Sequence, residues 1–218
     1  MEHISFMTET FFTQTLPANT AELLQEITKK HPDFVSSFYL SGGTALSLQL
    51  GHRESEDLDF FSEQSFQPEK IEQQLLSFGK LSDTELAKGT LNTYLGRVKL
   101  QFLEYPYRLL EPLVEWNGIK LSSVLDISCT KLQTVGMRGS RKDFIDIYFL
   151  LRQFSLQELL TYTKKKYAES DYSEAHILKS LIYFEDAESQ PMPRMHIDIS
   201  WEKVKNSLIS TIKTLPVV

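Results

Sequence analysis

Asp57 and Asp59 stand two residues apart in the run Asp57-Leu58-Asp59-Phe60. Side chains alternate along a strand, so both carboxylates point to one face while Leu58 and Phe60 point to the other. Two like charges this close are costly unless a cation neutralises them. Hard oxygen ligands at this spacing suit magnesium, which takes one or two carboxylates and completes its shell with phosphates. Upstream, Ser41-Gly42-Gly43-Thr44 closes an apolar run. A strand ending in Gly-Gly before a helix points unpaired backbone N–H groups and the positive helix end into one space, where phosphate fits. The plain alternative is a tight turn that needs glycine only for its backbone angles. No Gly-Lys-Ser/Thr follows, which excludes the P-loop.

A third group comprises Lys131, Arg138, Arg141, Asp143 and Asp146. Asp146 lies within the apolar run Phe144 to Leu151, where a carboxylate needs a partner because an unpaired buried charge is expensive. Lys131, Arg138 and Arg141 are the candidates. A structural ion pair and a catalytic role are equally open for Asp146, and Asp143 has the plainer reading of completing a capping box with Ser140. The net charge of -6 hides a local asymmetry. Residues 53–63 hold one base against five acids, a local -4, whereas residues 131–142 hold four bases and no acid, a local +4. One segment is suited to cations and the other to phosphates; solvated surface runs are the bland alternative.

These residues must be positioned by the elements around them. Asn19 and Glu22 resemble a capping box opening a helix to about Lys30 that carries Leu23, Leu24 and Ile27. Phe34 to Leu40 reads as a strand, followed by a short helix capped by Thr44 and stopped at Gly51, then a strand from Asp57 to Phe61. Pro68 opens a helix bearing Ile71, Leu75 and Phe78 and closed by Gly79. Strands are expected at Leu81 to Ala87, Thr90 to Leu95 and Val98 to Tyr105, with a later hairpin turn at Asn117-Gly118. Beyond this, Ser123 with Asp126, Ser140 with Asp143 and Ser155 with Glu158 each place an acid three residues after a serine cap, and further helices follow near Ser173 to Phe184 and Ser200 to Thr214. The expected class is α/β (α+β), a mixed sheet with flanking helices over residues 1–116 and a helical part over 117–218.

With 218 residues, 41% hydrophobic and 24% charged, the chain has the length for one sizeable core with a modest appended part. Residues Met1 to Phe6 lack the pattern of a secretion signal and no apolar run approaches the roughly 18 residues of a membrane span, so a cytoplasmic protein without membrane contact is expected. Cys129, the only cysteine, reads as a buried thiol rather than a nucleophile. His3, His31, His52, His176 and His196 show no metal spacing, and His52 reads as a surface residue. Lys164, Lys165 and Lys166 read as a solvated helix face, with RNA contact the minor alternative. Tyr105 and Tyr107 suit core packing or stacking on a base.

Leu40-Ser41-Gly42-Gly43-Thr44-Ala45-Leu46, the Arg53-x-Ser55-x-Asp57-Leu58-Asp59-Phe60 segment, and Lys131-Leu132 followed by Arg138 and Lys142-Asp143-Phe144-Ile145-Asp146 together resemble the AbiEii/AbiGii toxin family over about residues 35 to 155. The resemblance implies a nucleotidyltransferase fold of the polymerase-beta type and a toxin of a type IV toxin–antitoxin or phage-defence pair, with a cognate antitoxin as partner. It implies transfer of a nucleotidyl group from an NTP to a tRNA or protein hydroxyl. Gly42, Gly43 and Thr44 would be the phosphate-holding turn, Asp57 and Asp59 the ligands of Mg2+ (or Mn2+), and Lys131 a phosphate-binding base. Arg138 and Arg141 would join it on the nucleotide, and Asp143 and Asp146 match the last motif. Transferases of this fold generally take a third carboxylate from a later strand, here Val98 to Glu104. The residues sharing a face with Lys99 are Gln101 and Leu103, with Glu104 on the opposite parity, so an amide stands where the third ligand is expected. Two other functions remain open: a nucleotide-binding interaction protein with weak or lost turnover, and a metal-dependent phosphoesterase.

Overall fold

A computed structural model describes residues 11–170 and 173–215; His3 and the N-terminal segment read above lie outside them. After a 3-10 turn at Thr13–Thr15 come α1 (Ala18–Lys30), α2 (Phe34–Ser37), β1 (Tyr39–Ser41), α3 (Gly42–Leu50), β2 (Leu58–Ser62) and α4 (Pro68–Leu75). The meander β3 (Leu81–Ala87), β4 (Thr90–Leu95) and β5 (Val98–Glu104) leads to a hairpin of β6 (Val114–Trp116) and β7 (Ile119–Leu121). The rest is helical: α5 (Val124–Met137), α6 (Arg141–Leu150), α7 (Leu156–Lys166), α8 (Glu174–Ser180), α9 (Glu185–Glu188) and α10 (Trp201–Lys213).

The strands form one sheet in the order β3-β4-β5-β2-β1-β7-β6. β2 lies between β1, antiparallel to it, and β5, parallel to it. Leu58 and Phe60 of β2 and Val98, Leu100 and Phe102 of β5 point into the first apolar core, with Leu40, Leu46 and Leu48. Asn117 and Gly118 both have positive φ (48° and 79°), the backbone that a two-residue hairpin turn requires. This hairpin spans the position at which the sequence divides sheet from helices, so the sheet runs on to Leu121. A second core, including Leu132, Phe144, Ile145, Leu159 and Val204, unites the helices from α5 onward. Among the described residues no helix is long and apolar enough to cross a membrane.

Two local expectations are corrected. The strand expected at Phe34 to Leu40 is a turn of helix followed by a three-residue strand. Helical spacing lets Phe34 and Phe38 both pack edge-on against Phe102, at 5.1 and 5.2 Å between ring centroids. The capping box at Asn19 does not form, because α1 starts at Ala18, behind Pro17, and takes Asn19 into its first turn. Ser123, Ser140 and Ser155 do cap α5, α6 and α7 through their hydroxyls.

Candidate active site

The two carboxylates reach one pocket because of strand parity. With Leu58 and Phe60 buried beneath, Asp57, Asp59 and Phe61 all line a cavity of about 320 Å3 on the opposite face. Lys99 and Gln101 of β5 line the same cavity, and Gln101 pairs directly with Asp59 in the sheet register. Glu104 is turned away, its carboxylate lying close against Gly89 at the β3–β4 turn. From above, α5 contributes Ile127, Thr130, Lys131 and Thr134, the α5–α6 connection contributes Arg138 and Ser140, and the first turn of α6 contributes Lys142 and Asp143.

Gly42 and Gly43 complete the wall. Gly42 has φ +65°, and a Cβ there would sit 2.1 Å from Asp59 Oδ2. A Cβ on Gly43 would sit 2.7 Å from Arg53 Nη2. Ser41 does not cap α3 through its side chain; its hydroxyl instead accepts from Ser122 at 2.7 Å. The start of α3 is thus left without a side-chain cap where Gly42 and Gly43 line the pocket beside the carboxylates, an arrangement suited to phosphate oxygens. Thr44 lies beneath this turn and outside the pocket lining: it is fully buried, its hydroxyl donating to the Asp57 carbonyl oxygen. It fixes the entry to β2.

Behind the pocket is a buried charge network. Asp146 accepts two parallel bonds from Arg53, 2.7 Å from Nε and 2.8 Å from Nη2. His52 Nε2 lies 2.8 Å from the same carboxylate, and Lys131 Nζ lies 2.7 Å from Oδ2. Lys131 also donates to Asp143 at 2.8 Å, whose other oxygen accepts from the Ser140 hydroxyl at 2.5 Å. Burial alone would raise the Asp146 pKa, but Arg53 and Lys131 hold it well below the carboxylate range. Burial would depress Lys131, but Asp146 and Asp143 hold it above its ordinary value. His52 is pushed down by burial against the pull of Asp146, which favours its neutral ring. Two cations, Arg53 and Lys131, thus balance two anions, Asp143 and Asp146, and Lys131 turns to the pocket with its charge already compensated.

Asp59 is different. Burial and then Asp57 push its pKa up to about 6, against the opposing pull of Lys131, Lys99 and Arg138. A carboxylate so placed calls for a cation. Among the described residues no three of His, Cys, Asp or Glu converge on a metal position. Asp57 and Asp59 therefore fit a hard divalent ion that brings further oxygen ligands with a phosphate, and do not fit one held by protein alone.

Several residues fall elsewhere than the sequence suggested. Arg141 leaves the pocket: its guanidinium donates to the carbonyls of Ala187 (3.0 Å) and Glu188 (2.7 Å) and covers Trp201. Of the basic segment, the structure brings Lys131, Arg138 and Lys142 to the site. His52, read as a surface residue, is fully buried. Lys166 is buried against Asp126 at 2.5 Å, leaving the lysine run only partly solvated. Cys129 is buried, and burial pushes its thiol up to about 11. Arg53, two residues past the helix stop at Gly51, enters the sequence reading only as a charge and as a position of the family motif, and nothing local marks it as the partner of Asp146. Phe61 follows from extending the parity rule two residues along β2, and Lys99 is the residue with which parity already groups Gln101.

Replacing Gly42 with Ala tests the packing of this wall. The added methyl strains a positive-φ backbone and displaces the Asp59 carboxylate. The expected result is loss of metal-dependent nucleotide binding, with a destabilisation of only about 1–3 kcal/mol. Calorimetric titration with an NTP and magnesium checks it; wild-type affinity would show that Asp59 does not need this contact.

The comparisons agree with this architecture. Residues 23–214 match the family model described as nucleotidyl transferase AbiEii toxin, type IV TA system. An uncharacterized protein of Aquifex aeolicus (strain VF5) is 39% identical over 184 residues, covering 82% of this chain and 87% of that protein. Among solved structures, JHP933 from Helicobacter pylori superposes with a TM-score of 0.55 at 18% identity, covering 92% of this chain and 90% of its own. MenT4, a nucleotidyltransferase toxin from Mycobacterium tuberculosis H37Rv, gives 0.51 at 12% identity, covering 94% and 88%. The structural likenesses establish the fold; the family-model match over residues 23–214 places this protein in the AbiEii family of nucleotidyltransferase toxins.

Proposed function

We propose that this chain transfers a nucleotidyl group from an NTP to a hydroxyl of tRNA or protein, as the toxin of a type IV toxin–antitoxin or phage-defence pair acting in the cytoplasm and restrained by a cognate antitoxin. The observation carrying this reading is the convergence, in one pocket, of Asp57 and Asp59 with the open start of α3 and the cations Lys131, Arg138 and Lys142. In the reaction, the acceptor oxygen bonds to the α-phosphorus, the bond from that phosphorus to the β-phosphate bridging oxygen breaks, pyrophosphate leaves, and the hydroxyl proton passes to water. Asp57 and Asp59 would hold magnesium, which neutralises phosphate charge when bound.

The Gly42-Gly43 turn presents N–H groups to the phosphates, and Arg138 and Lys142 add uncompensated charge at the rim. Lys131 contributes a donor whose position Asp143 and Asp146 fix. Asp143 and Asp146 therefore act on the site through Lys131. Nucleotide binding without turnover is the second reading, favoured by the Gln101 amide in place of a third carboxylate.

Incubation with each NTP labelled at the α-phosphate, with total tRNA and the product of the adjacent gene, separates the two. Label on RNA or protein supports transfer; tight binding with no label moved selects the second reading, and phosphate release from simple esters would point to a phosphoesterase. A narrower expectation concerns Arg138, which lies at the mouth of the pocket. Arg138→Ala should weaken NTP binding about tenfold, the loss of one charge-assisted contact, with an unchanged melting temperature. An unchanged affinity would remove Arg138 from the nucleotide.

A further inference from the structure

The carboxylate pair has two unlike flanks. On the β1 side, Ser41 stands opposite Asp59 and the chain turns at Gly42 into α3. This is the flank that receives phosphate. On the β5 side, Gln101 stands beside Asp59 in a parallel register; one same-face step back along β5 is Lys99, which lines the pocket with Asp57. The second flank is thus an ammonium and a neutral amide.

Lys99 differs from Lys131. Among the described residues it forms no ion pair, yet its charge reaches Asp59. It is half-buried in the pocket wall, and Tyr94 is its cross-strand neighbour in β4. The charges around the pocket also have a simple sum. Arg53 and Lys131 are cancelled by Asp143 and Asp146. One divalent cation cancels Asp57 and Asp59, which leaves Lys99, Arg138 and Lys142 as the uncancelled charges of the pocket lining.

Two-metal sites place one cation at the leaving oxygen and one at the attacking oxygen, both held by carboxylates. Here a second divalent cation would meet no further carboxylate and would be pressed against an ammonium, a repulsion nothing on that flank relieves. Resting on the transferase reading, we propose that Lys99 is itself the second positive charge: a fixed ammonium on the acceptor flank, steadied by Gln101, that stabilises the attacking oxygen, so that the site takes a single divalent ion with its nucleotide. A lysine ammonium is a compact point charge with three donors, suited to an oxygen on which negative charge develops.

The test is a metal count. The full chain is titrated with manganese in the presence of non-hydrolysable α,β-methylene analogues of the four NTPs, and bound manganese is read by electron paramagnetic resonance. One ion per chain is expected for the wild type and two for the double variant Lys99→Ala, Gln101→Asp. Two ions in the wild type, or one in the double variant, overturns the proposal while leaving the transferase reading intact. Failure of every analogue to bind with manganese overturns the transferase reading itself. Independently, Lys99→Gln should lower the transfer rate about 100-fold with little change in KM for the NTP, and Lys99→Arg should recover most of it. A loss confined to KM would place Lys99 on the nucleotide and not on the acceptor flank.

Discussion

Asp57→Asn and Asp59→Asn should each abolish nucleotidyl transfer, lowering kcat by about 1000-fold or more, while the melting temperature stays near or above the wild-type value. The size follows from the small ligand set. Removing one of two anionic ligands weakens the ion that offsets phosphate charge, and roughly 4 kcal/mol of transition-state stabilisation corresponds to that factor. Stability should not suffer, because in the free protein the two carboxylates repel each other and Asp59 is already pushed up to about 6, chiefly by its burial. Single-turnover assays with labelled NTP and acceptor, beside thermal melts, decide it. Retained turnover in either purified variant removes the pair from the chemistry.

The second large effect is on the fold. Asp146→Ala strips the carboxylate that Arg53, His52 and Lys131 share, leaving an enclosed guanidinium with no ion-pair partner among the described residues. Breaking a buried pair from one side costs about 3–5 kcal/mol, which for a chain of this length is a fall of roughly 6–20 °C in melting temperature. The pH dependence has a definite sign. The folded-state pKa of Asp146 is held well below the carboxylate range. Its contribution is therefore complete above the unfolded value of about 4 and is lost as pH falls through the depressed folded value. The wild type should lose stability steeply in acid and the Ala variant less so. Equal melting curves for the two at neutral pH would contradict the network.

What the sequence revealed and what it hid divide along physical lines. Parity is local and rigid, so placing Asp57 with Asp59, and Gln101 with Lys99, needed only the two-residue period of a strand, and the register of β2 with β5 agrees with it. Serine caps are equally local, and Ser123, Ser140 and Ser155 all cap. The Phe34 segment was misread because its aromatic residues report burial, which a strand and a helical turn satisfy alike; only the distant Phe102 selects the turn. The partners of Asp146 were half legible. Lys131 was among the candidates, but His52 and Arg53 lie more than ninety positions earlier, and no periodicity links them to α6. Arg141 illustrates the converse: a basic residue beside a phosphate-suited segment was drawn off by the carbonyl ends of α9, a helix too short to announce itself.

The 93-residue separation of Arg53 from Asp146 has a consequence during synthesis. At roughly 5–20 residues per second, a ribosome makes the guanidinium about 5 to 20 s before the carboxylate that must hold it. Over that interval the nascent chain carries Asp57, Asp59 and the Gly42-Gly43 turn without the group that braces them. A polypeptide released early, by a stalled ribosome or a truncated message, consequently lacks the carboxylate that holds Arg53. On the proposed function, transfer would begin only once α6 has been completed and docked.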